Sequence, residues 1–393
     1  MGRPERDCLI VLAHARFLRA PERIALAGML GGTERLERLG TGELAALLGR
    51  TVRTGSWDPS ALLAAAERTV RLVARGRIGC TCWGDTAYPA ALAEIHDPPA
   101  VVFHRGAPPD AGRPLVGVVG TRLPTGAGRD AAFRLGFELA REAIGVVSGL
   151  ARGIDREAHE GCSRTGGYSI GVLGCGPDLV VPAASRGAAR RLLEAGGMLL
   201  SEYPPGTVPR PWHFPERNRI ISGLCRSVVV VEAPEGSGAL YTADFALEQG
   251  RDLYVHAAGL AGSTGAGTRQ LAAAGATVIR SASGILADWG RCSGPPWGRC
   301  SGPPWGRCSG PPWGRCSGPP WGRCSGPPRG RQARAGESTR LATDAVRART
   351  LQHAPAGPPR KTTAATGAAI ARLARDELDG SGDARLDGTY GGS

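Results

Sequence analysis

Between Leu115 and Asp288, short apolar runs alternate with segments whose apolar positions recur every three or four residues. Continuous apolar runs suit strands buried on both faces, and the longer recurrence suits helices packed over them. The pattern predicts strands at Leu115–Val119, Gly145–Val147, Ser169–Leu173, Met198–Leu200, Val228–Val231, Leu253–Val255 and Thr277–Ile279. It predicts helices at Gly128–Ala143, Asp155–Arg164, Ala184–Ala195 and Ala239–Gln249. Strand–helix–strand repetition predicts an α/β fold built on a Rossmann-like, doubly wound and mostly parallel sheet, with its ligand beyond the carboxyl ends of the strands.

Residues 9–75 carry a different pattern of short amphipathic stretches broken by Gly-rich turns. Helices are expected at Pro21–Leu30, Thr33–Leu39, Thr41–Leu48 and Pro59–Ala74, with Asp58 placed to cap the last. The organisation read from these patterns is a small N-terminal helical module of SAM or helix-hairpin-helix type over residues 1–79 and a Rossmann-like domain over 80–288. A low-complexity C-terminal tail follows. Residues 289–328 are five perfect copies of Trp-Gly-Arg-Cys-Ser-Gly-Pro-Pro, and two prolines with two glycines per unit disfavour helix and sheet alike. A spacer is expected there, then a disordered linker over 329–365 and one helix with a short hairpin over 366–393.

Composition sharpens this picture unevenly. The chain of 393 residues has a net charge of +13, and all of its basic residues but Lys361 are arginine. Residues 289–393 contribute +9 of that charge and residues 1–288 only +4, so total charge is a poor guide to where an anion binds. No apolar run approaches the roughly 18 residues of a membrane span, and Leu9–Ala13 is too short for a signal peptide. A cytoplasmic protein with no membrane association is expected. Of eleven cysteines, five belong to the repeats, and no metal-ligand spacing stands out.

Four segments fall where the sheet presents its ligand edge. Gly120-Thr121-Arg122 follows the first strand and precedes a helix, which suits an anion approaching bare backbone amides. Ser148-Gly149-Leu150-Ala151-Arg152-Gly153-Ile154-Asp155 has the composition of an amide-lined nest, with Asp155 available as a helix cap. Phe214, Arg217, Asn218 and Arg219, with Arg210 and Trp212 just before, interleave rings and cations as a phosphate chain with stackable bases requires. Arg217 could alternatively pair with Glu216 or Asp178. Ser237-Gly238-Ala239-Leu240-Tyr241-Thr242 again turns from strand into helix, with two hydroxyls as donors. Four anion-shaped segments on one edge predict several phosphates, hence an oligonucleotide or a nucleotide.

Catalytic chemistry is harder to place. The sequence has no nucleophile elbow, zinc-protease helix or P-loop lysine. Asp155, His159 and Glu232 could in principle assemble a base site, but the sequence does not show that the three meet. No cofactor and no metal are expected.

In order, Gly120-Thr121-Arg122, Ser148–Asp155 with His159, Ser201-Glu202-Tyr203-Pro204, Phe214–Ile221 and Ser237–Ala243 resemble the DNA-processing protein A (DprA/Smf) family. Tyr88-Pro89, Leu92, Ile95 and Asp97-Pro98-Pro99 match the segment leading into its Rossmann-like domain, and the resemblance covers roughly residues 80–285. It implies a non-enzymatic protein that binds single-stranded DNA, forms a homodimer and loads the RecA recombinase in natural transformation. Carried over to this sequence, Arg122, Ser148, Arg152, Phe214, Arg217 and Arg219 are the implied DNA contacts, with Ser237 and Thr242 supporting the pocket. Gly120, Thr121, Gly149, Gly153, Asn218 and Gly238 belong to the same motifs.

The sequence departs from the family pattern at Val181, Ala239, Ala258-Gly259 and Arg269. Residues 366–390 resemble only the last helix and wing of the family's winged helix, as a decayed remnant would. Two other readings stand beside this one: a nucleotide-processing Rossmann enzyme of the phosphoribohydrolase type, and a scaffold that holds DNA through its basic tail.

Overall fold

The computed structural model describes residues 2–290 except 54, 76, 77 and 111. The repeats beyond Gly290, the linker expected at 329–365 and the winged-helix remnant expected at 366–393 lie outside the described residues.

Five helices open the chain: α1 Arg3–Leu12, α2 Ala20–Leu30, α3 Thr33–Arg38, α4 Thr41–Leu48 and α5 Pro59–Ala74. The last four match the predicted elements to within a residue, and the Asp58 carboxylate accepts from the Ala61 amide at 3.0 Å to cap α5. The sequence pattern conceals α1, because buried apolar residues fill only its second half, from Cys8 to Leu12. Leu9, Leu12, Leu26, Leu36 and Leu44 bury completely in a core that also takes in Cys82, Val101 and Phe103. The helices therefore share their core with two strands of the sheet.

The sheet and its crossovers follow as β1 Gly79–Cys82, α6 Ala90–Ala93, β2 Val101–Gly106, β3 Leu115–Val119, α7 Gly126–Arg141 and β4 Gly145–Ser148. Next come α8 Ile154–Ser163, β5 Ser169–Val172, α9 Arg186–Glu194, β6 Met198–Ser201, α10 His213–Leu224 and β7 Ser227–Val230. The domain closes with α11 Gly238–Glu248, β8 Asp252–His256, α12 Ala266–Ala273, β9 Thr277–Ile279 and α13 Ala282–Asp288. All nine strands lie in one sheet, in the order β1-β2-β6-β5-β4-β3-β7-β8-β9. From β6 to β9 every neighbouring pair is parallel, whereas β2 runs antiparallel to β6 and β1 antiparallel to β2. The predicted strands are present with ends shifted by no more than a residue, and β1 and β2 are additions to them.

Alternation along the strands divides the core into two faces. On one side Val119, Val147, Ile170 and Val230 pack with Ile220, Ile221 and Ala243; on the other, Val116, Val118, Val146 and Val229 pack with Leu135, Leu139 and Ile154. Trp289 belongs to this second core although it is the first residue of the repeats. It is 9% exposed, and the Arg226 guanidinium lies 4.4 Å from its ring centroid. The spacer therefore starts later than its sequence period.

Candidate functional site

From β3 the chain winds outward through β4, β5 and β6, then returns at β7 on the other side of β3. The loops after β3 and β7 meet at this reversal and border a crevice at the carboxyl ends of the strands. Its volume is about 260 Å³. Gly120, Thr121 and Arg122 line it from the loop after β3, Phe214, Arg217 and Asn218 from α10, and Ser237, Gly238 and Thr242 from the start of α11. All four sequence segments thus meet at one place, the second through Ala151 and Asp155.

Backbone proximity sets the shape of the walls. A side chain at Gly120 would bring its Cβ to 2.8 Å from the Glu232 carbonyl oxygen, so only glycine lets the two loops approach. Across that gap the Thr121 amide donates to the Glu232 carbonyl at 2.7 Å. The Glu232 carboxylate, 1% exposed, accepts from the Thr125 amide at 3.1 Å and the Thr125 hydroxyl at 2.7 Å. Thr125 in turn caps α7 by accepting from the Gly128 amide at 3.0 Å. Ser237 accepts from the Ala239 amide at 3.4 Å, and Asn218 donates to the Gly238 carbonyl at 3.2 Å, which joins α10 to the mouth of α11. Leu123, 82% exposed beside Arg122, also lines the crevice. Its sequence carries no signal for that position, since an apolar residue after a strand reads as core.

Ala151 and Asp155 of the second segment reach the crevice wall, whereas Ser148, Gly149, Arg152 and Gly153 are not among the residues lining it. The Ser148 hydroxyl donates to the Val118 carbonyl at 2.6 Å, and the Ser185 hydroxyl to the Leu150 carbonyl at 2.7 Å. Leu150 is held at φ 55°, a conformation uncommon outside glycine, and is fully buried there. The nest expected of this loop is filled by the chain itself, because the Gly149 amide donates to the Asp155 carboxylate at 3.0 Å. Asp155 is consequently no helix cap. Gly153 holds the cap position of α8 at φ 84°, where a Cβ would strike the Thr121 carbonyl. Burial raises the Asp155 carboxyl, against the opposing charge of Arg217 and the amides it accepts from.

The two arginines of α10 are both buried, and neither pairs with Glu216 or Asp178. Arg217 is 5% exposed and donates to the Gly149 carbonyl at 2.8 Å, to the Val172 carbonyl and to the Asn218 side chain at 3.0 Å. Glu216 accepts from the Tyr203 hydroxyl at 3.0 Å, and Asp178 accepts from the Gly206 amide at 2.8 Å. Arg219 does not line the crevice. Its guanidinium grips both oxygens of Glu202 at 3.1 and 2.8 Å and reaches Asp97 at 3.0 Å. Those carboxylates raise its pKa against the opposing effect of burial. Arg219 thereby fixes α10 to the segment leading into the domain.

The three candidate base residues are not assembled for catalysis. Asp155 and Glu232 are engaged as described, Asp155 in the first turn of α8 and Glu232 in the loop after β7. His159 is fully buried with no hydrogen-bond partner at either ring nitrogen, and burial pushes its pKa down to about 4. Among the described residues no cluster of His, Cys, Asp or Glu is placed to hold a metal, and no helix is long and apolar enough to cross a membrane. Arg269 donates to the Leu260 and Gly262 carbonyls at 3.0 and 2.7 Å, holding the turn before α12.

Residues 79–290 match the model of the family described as DNA recombination-mediator protein A. Over 174 residues the chain is 44% identical to Protein Smf of Synechocystis sp., a match covering 43% of this chain and 44% of that relative. Over 208 residues it is 38% identical to DNA processing protein DprA of Streptococcus pneumoniae, covering 52% of this chain and 72% of that relative. The X-ray structure of DNA processing protein A from Streptococcus pneumoniae superposes with a TM-score of 0.58 at 29% identity, covering 73% of this chain and 99% of that one.

Proposed function

The chain belongs to the DNA recombination-mediator protein A family, and from that premise we propose that it binds single-stranded DNA in the β3/β7 crevice without catalytic turnover. The observation that carries this reading is the convergence of Arg122, Thr121, Ser237 and Thr242 in one crevice, with the buried Phe214 ring in its wall. Cation and hydroxyls supply a phosphate contact and further donors. Asp155 and Glu232 are committed to the Gly149 amide and to Thr125, which weighs against the nucleotide-processing alternative.

By the same reading the protein is a cytoplasmic homodimer that protects incoming single strands and loads RecA recombinase onto them during natural transformation. Titration with single- and double-stranded oligonucleotides of equal length tests the binding step, and preference for the single strand is expected. Free base released from nucleoside monophosphates would overturn the non-enzymatic reading. A chain ending at residue 290 should keep its affinity for single strands, and complete loss would move the site to the basic tail. RecA loading is tested by strand exchange on DNA already coated with this protein.

A further inference from the structure

A second and larger cavity, of about 1080 Å³, opens between α5 and the sheet edge formed by β2 and the Pro204–Thr207 turn. Arg16, Arg68, Arg71, Arg75 and Arg105 line it, and the acidic residue in its wall is Asp178. Asp178 is already held by the Gly206 amide at 2.8 Å, and Arg71 lies 3.5 Å from Glu67 on the exposed face of α5. Arg16, Arg68 and Arg75 form no ion pair with a described carboxylate. Their charge is felt nearby: burial and the charges of Arg68, Arg16 and Arg23 push His14 down to about 4. Burial and the charge of Arg210 lower Arg16 as well.

This groove and the crevice are joined by one stretch of chain. Gly206 and Thr207 wall the groove and Pro211 and Phe214 wall the crevice, with Arg210 just before Pro211 and Trp212 just after it. Trp212 is 49% exposed, with the Arg210 guanidinium 5.2 Å from its ring centroid. Behind it, His213 meets the ring edge-on at 5.9 Å and stacks on Tyr203 at 4.0 Å. The platform is exposed yet supported from below, as base stacking requires. Arg68 on α5 and Arg75 at its C-cap stand seven residues apart, about 10 Å along the helix axis, which exceeds a single phosphate. A row of cations in a recess, entered past an aromatic ring, fits a flexible chain of phosphates with unpaired bases.

We propose that a single strand of nucleic acid held in the crevice continues over Trp212 and lays its backbone into the arginine groove. The helical module is then the second half of the binding surface. This path rests on the crevice being the first binding segment.

The test uses the full chain, an Arg68→Ala/Arg75→Ala double variant and a Trp212→Ala variant, titrated with single strands of about 6 and about 20 nucleotides. Both variants lie at exposed positions, and circular dichroism melting checks that they fold. Wild type binds the longer strand more tightly. The double variant loses about tenfold in affinity for it, and the salt slope falls by about 1.4, two contacts at about 0.7 each. Its affinity for the short strand stays unchanged. Trp212→Ala weakens the long strand with little change in slope.

Wild-type affinity of the double variant for the long strand overturns the groove and leaves the crevice standing. Failure of wild type to bind the short strand overturns the crevice reading and the path with it. An equal loss on a duplex of the same length overturns the single-strand assignment.

Discussion

Arg122 and the arginines of α10 were read as one set of phosphate contacts but sit in different surroundings. Arg217 and Arg219 are buried, with their guanidinium groups held by carbonyls or carboxylates of other segments. Arg122 stands half-buried on the lip of the crevice, beside the exposed Leu123. The contrast separates two uses of one residue type. The α10 arginines tie neighbouring segments together through buried hydrogen bonds, whereas Arg122 lines the crevice from a loop. A basic set read as one group of phosphate contacts therefore occupies two different environments.

The largest effect expected from breaking this division is on stability. Arg219→Ala leaves Glu202 buried without its cation and should cost about 3–5 kcal/mol, measured by urea denaturation. Arg217→Ala leaves the Gly149 and Val172 carbonyls without a donor and should cost about 1–3 kcal/mol. It should also speed hydrogen exchange at residues 148–153, so any loss of DNA affinity in this variant follows from a loosened wall.

A pH effect of the same buried region comes next. His159 titrates near 4 in the folded chain and near 6.5 when unfolded. Between those values the unfolded state binds more protons, so this contribution is complete above about pH 6.5 and is lost as pH falls towards 4. His159→Leu should flatten that acid limb in denaturation series run across the window. Arg122→Ala should have the smallest effect on stability, within about 0.5 kcal/mol, because it removes a half-buried side chain from a loop held by Glu232.

The strands β3 to β7 were legible in the sequence because each is a short, mostly apolar run buried on both faces, and β8 and β9 keep an apolar run although they start exposed. β1 was not, since Gly79–Cys82 is four residues long and mostly half-buried. β2 ends in the polar His104 and Arg105, which mask the apolar run before them. Glycine turns at strand ends likewise announced the crevice, because close backbone approach requires them. The division among the arginines could not be read, because their partners are remote in the chain. Asp97 lies 122 residues from Arg219, and Gly149 lies 68 from Arg217. The self-filled nest had the same cause on a smaller scale: spacing alone shows that Asp155 is near Gly149, not which amide it takes.

The central claim is that Arg122 contacts DNA while the α10 arginines support the wall. Titrating a short mixed-sequence single strand against wild type and Arg122→Ala across a salt series tests it most directly. The account predicts weaker binding on every sequence and a salt slope smaller by about 0.7, with an unchanged melting temperature. Superimposable isotherms at all salt concentrations would contradict it.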